Sequence, residues 1–200
     1  MKKVFLALCM LVAVSASAQE FKPFKVNLSL GFAKPLGVGA SGGVLFGIEP
    51  KYGLNDNIDL GVRLESALVA RGVTVMGESA TGDVAGISSA VLTGNYLLST
   101  GNFRPFIGLG LGLFNVASAG VITVDNGQTN ENVSFSAATK LGAMVRAGFK
   151  AGHFVVGVEY NAISASDGLR ISSSANVGTI SIKNSYLGVK LGFDIGGGRN

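Results

Sequence analysis

Few residues of this chain could do chemistry, and those few lack suitable company. His153 is the only histidine. A catalytic histidine needs a nucleophile and an orienting partner within hydrogen-bond reach. His153 falls instead in the short turn-like stretch 150–153 and reads as a solvated turn residue. Glu49, Glu65 and Glu159 could form a carboxylate set for acid–base catalysis. Basic residues share their face of the chain, however, so ion pairing is the better reading. Gly37-Val38-Gly39-Ala40-Ser41-Gly42 fits the dinucleotide fingerprint G-x-G-x-x-G. That fingerprint works only where a helix opens behind it and aims backbone amides at a pyrophosphate. Gly43 to Ile48 alternate like a strand, so the glycines form a loop. Cys9 is the only cysteine, and Leu8 stands where lipid attachment would need a small residue. No catalytic residue, cofactor or metal site is expected.

The elements that position the remaining residues follow an export signal. Lys2 and Lys3, the apolar run Val4 to Val14 and the small-residue pattern Ala16-Ser17-Ala18 form a secretory signal. The expected division is a signal peptide over residues 1–18 and one domain over 19–200, with Gln19 as the first mature residue. The apolar run is short for a helical membrane anchor. Lys2 and Lys3 also supply part of the formal charge of +4, and no Lys/Arg run exists elsewhere. That excludes a nucleic-acid footprint. Without Cys9 the mature chain has no disulfide and no thiolate metal site. Thirty glycines against four prolines argue against helices, since each interior glycine costs a helix about 1 kcal/mol.

Apolar residues alternate with small or polar ones in segment after segment, which is the period of a strand with two unlike faces. Phe24, Val26, Leu28, Leu30 and Phe32 oppose Lys25, Asn27, Ser29 and Gly31; near the end, Leu187, Val189, Leu191 and Phe193 oppose Gly188, Lys190, Gly192 and Asp194. Eight such segments are expected, near 24–34, 43–54, 58–71, 86–98, 103–116, 136–149, 154–164 and 181–195. Pro105 to Val124 carries no charge and could pass for a membrane helix. Yet Gly108, Gly110 and Gly112 alternate with Ile107, Leu109, Leu111 and Leu113, and a helix would scatter them. The connections 55–57, 99–102 and 150–153 are short, whereas 35–42, 72–85, 117–135 and 165–180 read as long loops. Short turns at one end and long loops at the other mark a closed antiparallel transmembrane β-barrel, with its short turns in the periplasm.

The two faces bear this out chemically. At the short-turn ends the outward parity carries Phe24, Tyr52, Tyr96, Phe103, Phe149, Phe154 and Phe193, an aromatic girdle for one membrane interface. The third strand has Ile58 there. The inward parity gathers the charges, among them Lys25, Lys51, Asp59, Arg104, Lys140, Lys190 and Asp194. A Lys or Arg facing lipid at mid-depth would cost roughly 2–4 kcal/mol. If Leu54 pairs with Ile58, then Tyr52 faces Leu60 and Glu49 faces Arg63, the separation of a direct ion pair. Arg146 and Glu159 are expected close together diagonally, and Lys25 and Asp194 at one end of the closing seam. With Glu65, these residues are the candidates for a lumen plugged by paired charges, helped by Phe106, Phe114 and Met144.

Together these residues resemble the small outer-membrane barrels of the OmpA/OmpX type, in the form typical of Bacteroidota. The resemblance covers the mature chain. It rests on the signal, the strand rhythm, the segment Phe103-Arg104-Pro105-Phe106-Ile107-Gly108-Leu109-Gly110-Leu111-Gly112 and the last strand. That strand resembles the signal read by the barrel-assembly machinery, with Tyr186, Gly188, Leu191 and Phe193 at matching spacing, although Asp194 to Asn200 follow where many members end. The resemblance implies residence in the outer membrane, contact with its lipid and lipopolysaccharide, the assembly machinery as a partner during biogenesis, and a monomer; no segment resembles the periplasmic peptidoglycan-binding domain of OmpA. Glu78, Asp83, Asp125, Glu131 and Asp167 outnumber Arg170 in the long loops and could hold cations that bridge lipopolysaccharide. They lack the spacing of a dedicated site, so a solvated surface is the better reading. A non-enzymatic structural or surface-interaction role is expected. Narrow, porin-like passage of small or apolar solutes is the alternative, kept open by the many inward glycines. A lipid-modifying enzyme fits less well, because such barrels keep their histidines toward the outer surface.

Overall fold

The computed structural model describes residues 21–36, 41–75, 78–119, 138–164, 166–173, 176–182 and 184–199. The signal segment and most of the G-x-G-x-x-G stretch lie outside these residues. Ten strands follow in order: β1 (Phe21–Pro35), β2 (Gly43–Gly53), β3 (Ile58–Val75), β4 (Glu78–Leu97), β5 (Phe103–Ala119), β6 (Ala138–Ala151), β7 (Phe154–Ile163), β8 (Ser166–Ser173), β9 (Asn176–Ile182) and β10 (Tyr186–Arg199). Eight of them close into an antiparallel barrel in the order β1-β10-β7-β6-β5-β4-β3-β2. No helix occurs among the described residues.

Closure follows from side-chain chemistry. On β5, Ile107, Leu109, Leu111 and Leu113 are all more than half exposed, while Phe106 and Phe114 on the opposite parity are buried. A soluble protein does not tolerate such an apolar exterior over a whole barrel; a bilayer requires it. Lipid offers no hydrogen-bond partner to an open sheet edge, so the last strand must find the first. It does so through pairs such as Leu28 with Phe193 and Leu30 with Leu191. Gly196 and Gly197 adopt φ of 79° and 72° where the β1–β10 register shifts between Lys22 and Lys25.

The short turns are built as the sequence suggests. Asn55 accepts hydrogen bonds from the backbone N–H of Asn57 at 2.9 Å and of Ile58 at 2.8 Å, and Leu54 N–H donates to Ile58. The β6–β7 turn needs Gly152, whose φ of 58° favours a residue without Cβ. Two long connections differ from expectation. The stretch 72–85, read as a loop, is mostly strand, because β3 and β4 continue their ladder as far as Val75 and Glu78. Val73, Thr74 and Val75 are β-branched and favour that extension. Within 165–180, read as another loop, β8 and β9 pair in a separate two-stranded sheet. Its serine- and asparagine-rich composition hides a hairpin whose ladder is entirely local. The last barrel strand accordingly begins at Tyr186 and not near 181.

Candidate functional site: the barrel lumen

The inward parity fills the lumen in layers. Nearest the short turns, Lys25 Nζ meets Asp59 at 2.7 Å. Asp194 receives Lys51 at 3.0 Å, Lys150 at 2.7 Å and the Asn27 amide at 2.8 Å. Above them the Arg146 guanidinium grips Glu49 through both terminal nitrogens, at 2.5 and 2.8 Å, and donates from Nε to Asn95 at 2.7 Å. The Thr93 hydroxyl donates to Glu49 at 2.6 Å. Fork-on-carboxylate geometry of this kind is the strong form of an ion pair.

Further from the short turns, four charges alternate in a ring. Arg63 meets Glu159 at 2.5 Å, Glu159 meets Lys190 at 2.7 Å, Lys190 meets Glu65 at 2.7 Å, and Glu65 faces Arg63 at 3.8 Å. Asn161 accepts from Arg63 at 2.9 Å, and the Tyr186 hydroxyl donates to Glu65 at 2.6 Å. The Phe114 ring lies 6.0 Å from the guanidinium carbon of Arg63, within range of a cation–π attraction. Toward the long loops the lumen turns apolar. Leu45, Val69, Ile87, Val91, Val116 and Ile163 pack there with Phe114 and Met144 in one buried cluster. The order from the short-turn end is thus lysine–aspartate, arginine–glutamate, the four-charge ring and an apolar layer.

This arrangement corrects the expected pairings. The register is as expected, since Tyr52 faces Leu60 and Lys51 faces Gly61. Glu49 nevertheless pairs with Arg146 on β6, and Arg63 with Glu159 on β7. Both side chains point at the barrel axis, where a long side chain meets the far wall more readily than its neighbour on the same wall. Arg146 and Glu159 are direct register partners, not diagonal ones, and the carboxylate that Arg146 takes is Glu49. Lys25 and Asp194 do share the short-turn end but bind Asp59 and the Lys51–Lys150 pair respectively. Lys150, read as a turn residue, belongs to the lumen; carrying the parity of Arg146 four residues further would have placed it there. The polar partners Asn27, Thr93, Asn95 and Asn161 lie on the same parity.

The other singled-out residues fall as follows. Phe24, Tyr52, Tyr96, Phe103, Phe149, Phe154 and Phe193 point outward near the short turns, between 39% and 66% exposed. Tyr186 and Gly188 face inward, while Leu191 and Phe193 face outward. His153 is exposed in its turn, stacks on Phe193 at 5.4 Å and contacts the Asp194 carbonyl through Nδ1 at 2.8 Å. Arg104 turns to the carbonyls of Thr100 and Gly101. A strand from Gly43 follows the G-x-G-x-x-G stretch, leaving no helix to cradle a phosphate. Asp125 and Glu131, and the side chains of Arg71, Glu78, Asp83, Asp167 and Arg170, lie outside the described residues.

A closed eight-stranded barrel, apolar outside and charge-paired within, defines an integral β-barrel of the outer membrane. Comparison with known proteins agrees. The chain belongs to the outer membrane protein beta-barrel domain family, which it matches over residues 4–194. It is similar in fold to Neisserial surface protein A, at 18% identity and a TM-score of 0.55, covering 86% of this chain and 96% of that one. The outer membrane protein OprG from Pseudomonas aeruginosa is also similar, at 11% identity and a TM-score of 0.52, covering 86% and 96%. Comparison with curated proteins finds no match.

Proposed function

We propose that this barrel is a non-enzymatic outer-membrane protein with a structural or surface-interaction role, its lumen closed to solutes. The observation that carries this reading is the closure in series: three layers of paired charge, then an apolar layer in which Leu45, Val91 and Phe114 are buried completely or nearly so. A charge pair opens to ions only when its partners separate, and a buried partner left alone costs about 3–5 kcal/mol. The short turns are assigned to the periplasm, the loops to the outside, and the seven aromatics to the periplasmic interface. Tyr186, Gly188, Leu191 and Phe193 are assigned to recognition by the assembly machinery, with a monomer in lipid and lipopolysaccharide as the product. The test is planar-bilayer recording from the purified barrel. No steady conductance is expected; stable unitary currents would refute the closed lumen.

A cavity of about 50 Å³ in the short-turn half favours the second reading, narrow transport, and the same recordings decide between them. Catalysis on lipid has less support, because the His153 ring meets the Asp194 carbonyl and stacks on Phe193, with no side-chain nucleophile or carboxylate hydrogen-bonded to it among the described residues. Lipid A from a deletion strain is expected to be unaltered.

A further inference from the structure

The outer wall of the barrel carries a single charge. Among the described side chains of the eight barrel strands, every charged residue but one lies on the inward parity. The exception is Lys34, near the end of β1. It is exposed and makes no ion pair or side-chain hydrogen bond with any described residue. Its neighbours on the same face are Phe32 and Leu36 along the chain and Leu187 across the β1–β10 ladder, each at least 40% exposed.

The height of Lys34 on the wall matters, because a charge facing lipid costs most at mid-depth and little at an interface. Phe24 belongs to the aromatic girdle at the short-turn end, and Lys34 stands further along the same strand. The interval of about ten residues, at about 3.3 Å each and a strand tilt of about 40°, rises roughly 25 Å along the barrel axis, the height of the apolar band. Lys34 thus lies at the far edge of that band, level with headgroups. A second polar tip shares its row. Leu187 pairs with Lys34 on one side and with Tyr160 on the other. Tyr160 is on the outward parity of β7, and its hydroxyl makes no hydrogen bond with any described residue. Two strand spacings separate Lys34 from Tyr160 by about 10 Å, and both side chains are long enough to reach one group placed over Leu187.

We propose that Lys34 and Tyr160 form a docking site for the phosphate of a glycolipid in the outer leaflet. The ammonium finds no counter-charge among the described residues, and a headgroup phosphate supplies one through a charge-assisted hydrogen bond. The same phosphate accepts from the Tyr160 hydroxyl. The acyl chains then run down over Phe32 and Val189, the register pair directly beneath. This site deepens the proposed placement of the barrel in lipopolysaccharide and rests on the long loops facing outward. It does not depend on the state of the lumen.

The test uses the mature barrel in an uncharged detergent at low ionic strength, where screening is weak. Lipid A, lipid A stripped of its phosphates, and phosphatidylglycerol are titrated in separate arms. Thermal unfolding is read from the heat-modified band, since a ligand that binds only the folded barrel raises its unfolding temperature. Lipid A at about tenfold its dissociation constant is expected to raise it by roughly 3–6 °C. Lys34→Gln is expected to weaken lipid A binding about tenfold, the loss of one charge-assisted bond, and Tyr160→Phe about threefold. Lys34→Arg is expected to retain it. Each shift is measured against the variant's own lipid-free value, so a change in basal stability does not enter. A shift in Lys34→Gln equal to that of the wild type, or an equal response to lipid A without phosphates, overturns the site. An equal or larger response to phosphatidylglycerol overturns the glycolipid as its occupant. A reversed barrel would show in surface labelling of the long connections, and a conducting lumen in bilayer recordings, so failure of this site is distinct from failure of either reading.

Discussion

Glu49 shows how a charge chooses its partner in a narrow barrel. It sits on β2 with Arg63 in line on β3, yet the guanidinium it holds comes from Arg146 on β6. The inward direction of all these residues is legible from parity alone, as is the register across the Asn55 turn. Partner choice is not, because it depends on which long side chains meet near the axis, and that is set by the barrel's width and stagger. The two candidate pairs make different predictions. Glu49→Gln alone leaves Arg146 without its carboxylate and should cost about 3–5 kcal/mol. Adding Arg146→Met should recover part of that loss. Combining Glu49→Gln with Arg63→Met should recover nothing, since it leaves Arg146 without its carboxylate and also deprives Glu159 of Arg63. Thermal unfolding in detergent of these three variants and of Arg146→Met and Arg63→Met alone measures both couplings, and a larger coupling to Arg63 would contradict the observed pairing.

At the scale of strands, β5 carries the clearest message. Its alternating glycines were decisive against a helix, and they also let the lumen be filled from the neighbouring strands. A Cβ on Gly112 would press on the backbone of Ala90 and Val91, which cannot swing aside, whereas one on Gly157 meets only ordinary contact distances. Gly112→Ala is therefore expected to destabilise by about 1–3 kcal/mol as overpacking does. Gly157→Ala should change stability by less than about 0.5 kcal/mol, like an ordinary unstrained substitution. The shift of the heat-modified band with temperature compares them. The last strand has two unlike faces. Tyr186 donates its hydroxyl to Glu65 inside the lumen, while Leu191 and Phe193 present apolar surface outward. Tyr186→Phe keeps the aromatic ring of the proposed assembly signal and should lower the stability of the purified barrel by about 1.5–3 kcal/mol, the worth of a hydrogen bond to a charged group. Phe193→Ala removes an aromatic of that signal and should lower the amount assembled, as quantified by outer-membrane fractionation. The β8–β9 hairpin and the tall β3–β4 ladder escaped the sequence reading for a common reason. Beyond the membrane there is no lipid to enforce an apolar face, so a strand there need not alternate and resembles a loop.

For the molecule as a whole, the asymmetry between its ends carries an expectation of which way it faces. The short-turn end has tight connections, seven outward aromatics and the lysine–aspartate layer. The other end has the apolar layer and the long connections. Outer-membrane barrels generally keep short turns in the periplasm and longer loops outside, and the expected orientation here follows that pattern. Cysteine labelling tests this cleanly, because Cys9 is the only native cysteine and leaves with the signal segment if cleavage follows Ala18. Gly127→Cys and Gly168→Cys mark the long connections. For the short turns Thr100 is a better position than Asn55, since the Asn55 side chain holds its turn together through two backbone N–H groups, while Thr100 is exposed and contributes a backbone carbonyl to Arg104. On intact cells an impermeant maleimide should label the cysteines at 127 and 168 and spare the one at 100, which should react only after the outer membrane is permeabilised. Labelling at 100 alone on intact cells would reverse the topology and turn the lysine–aspartate layer toward the medium.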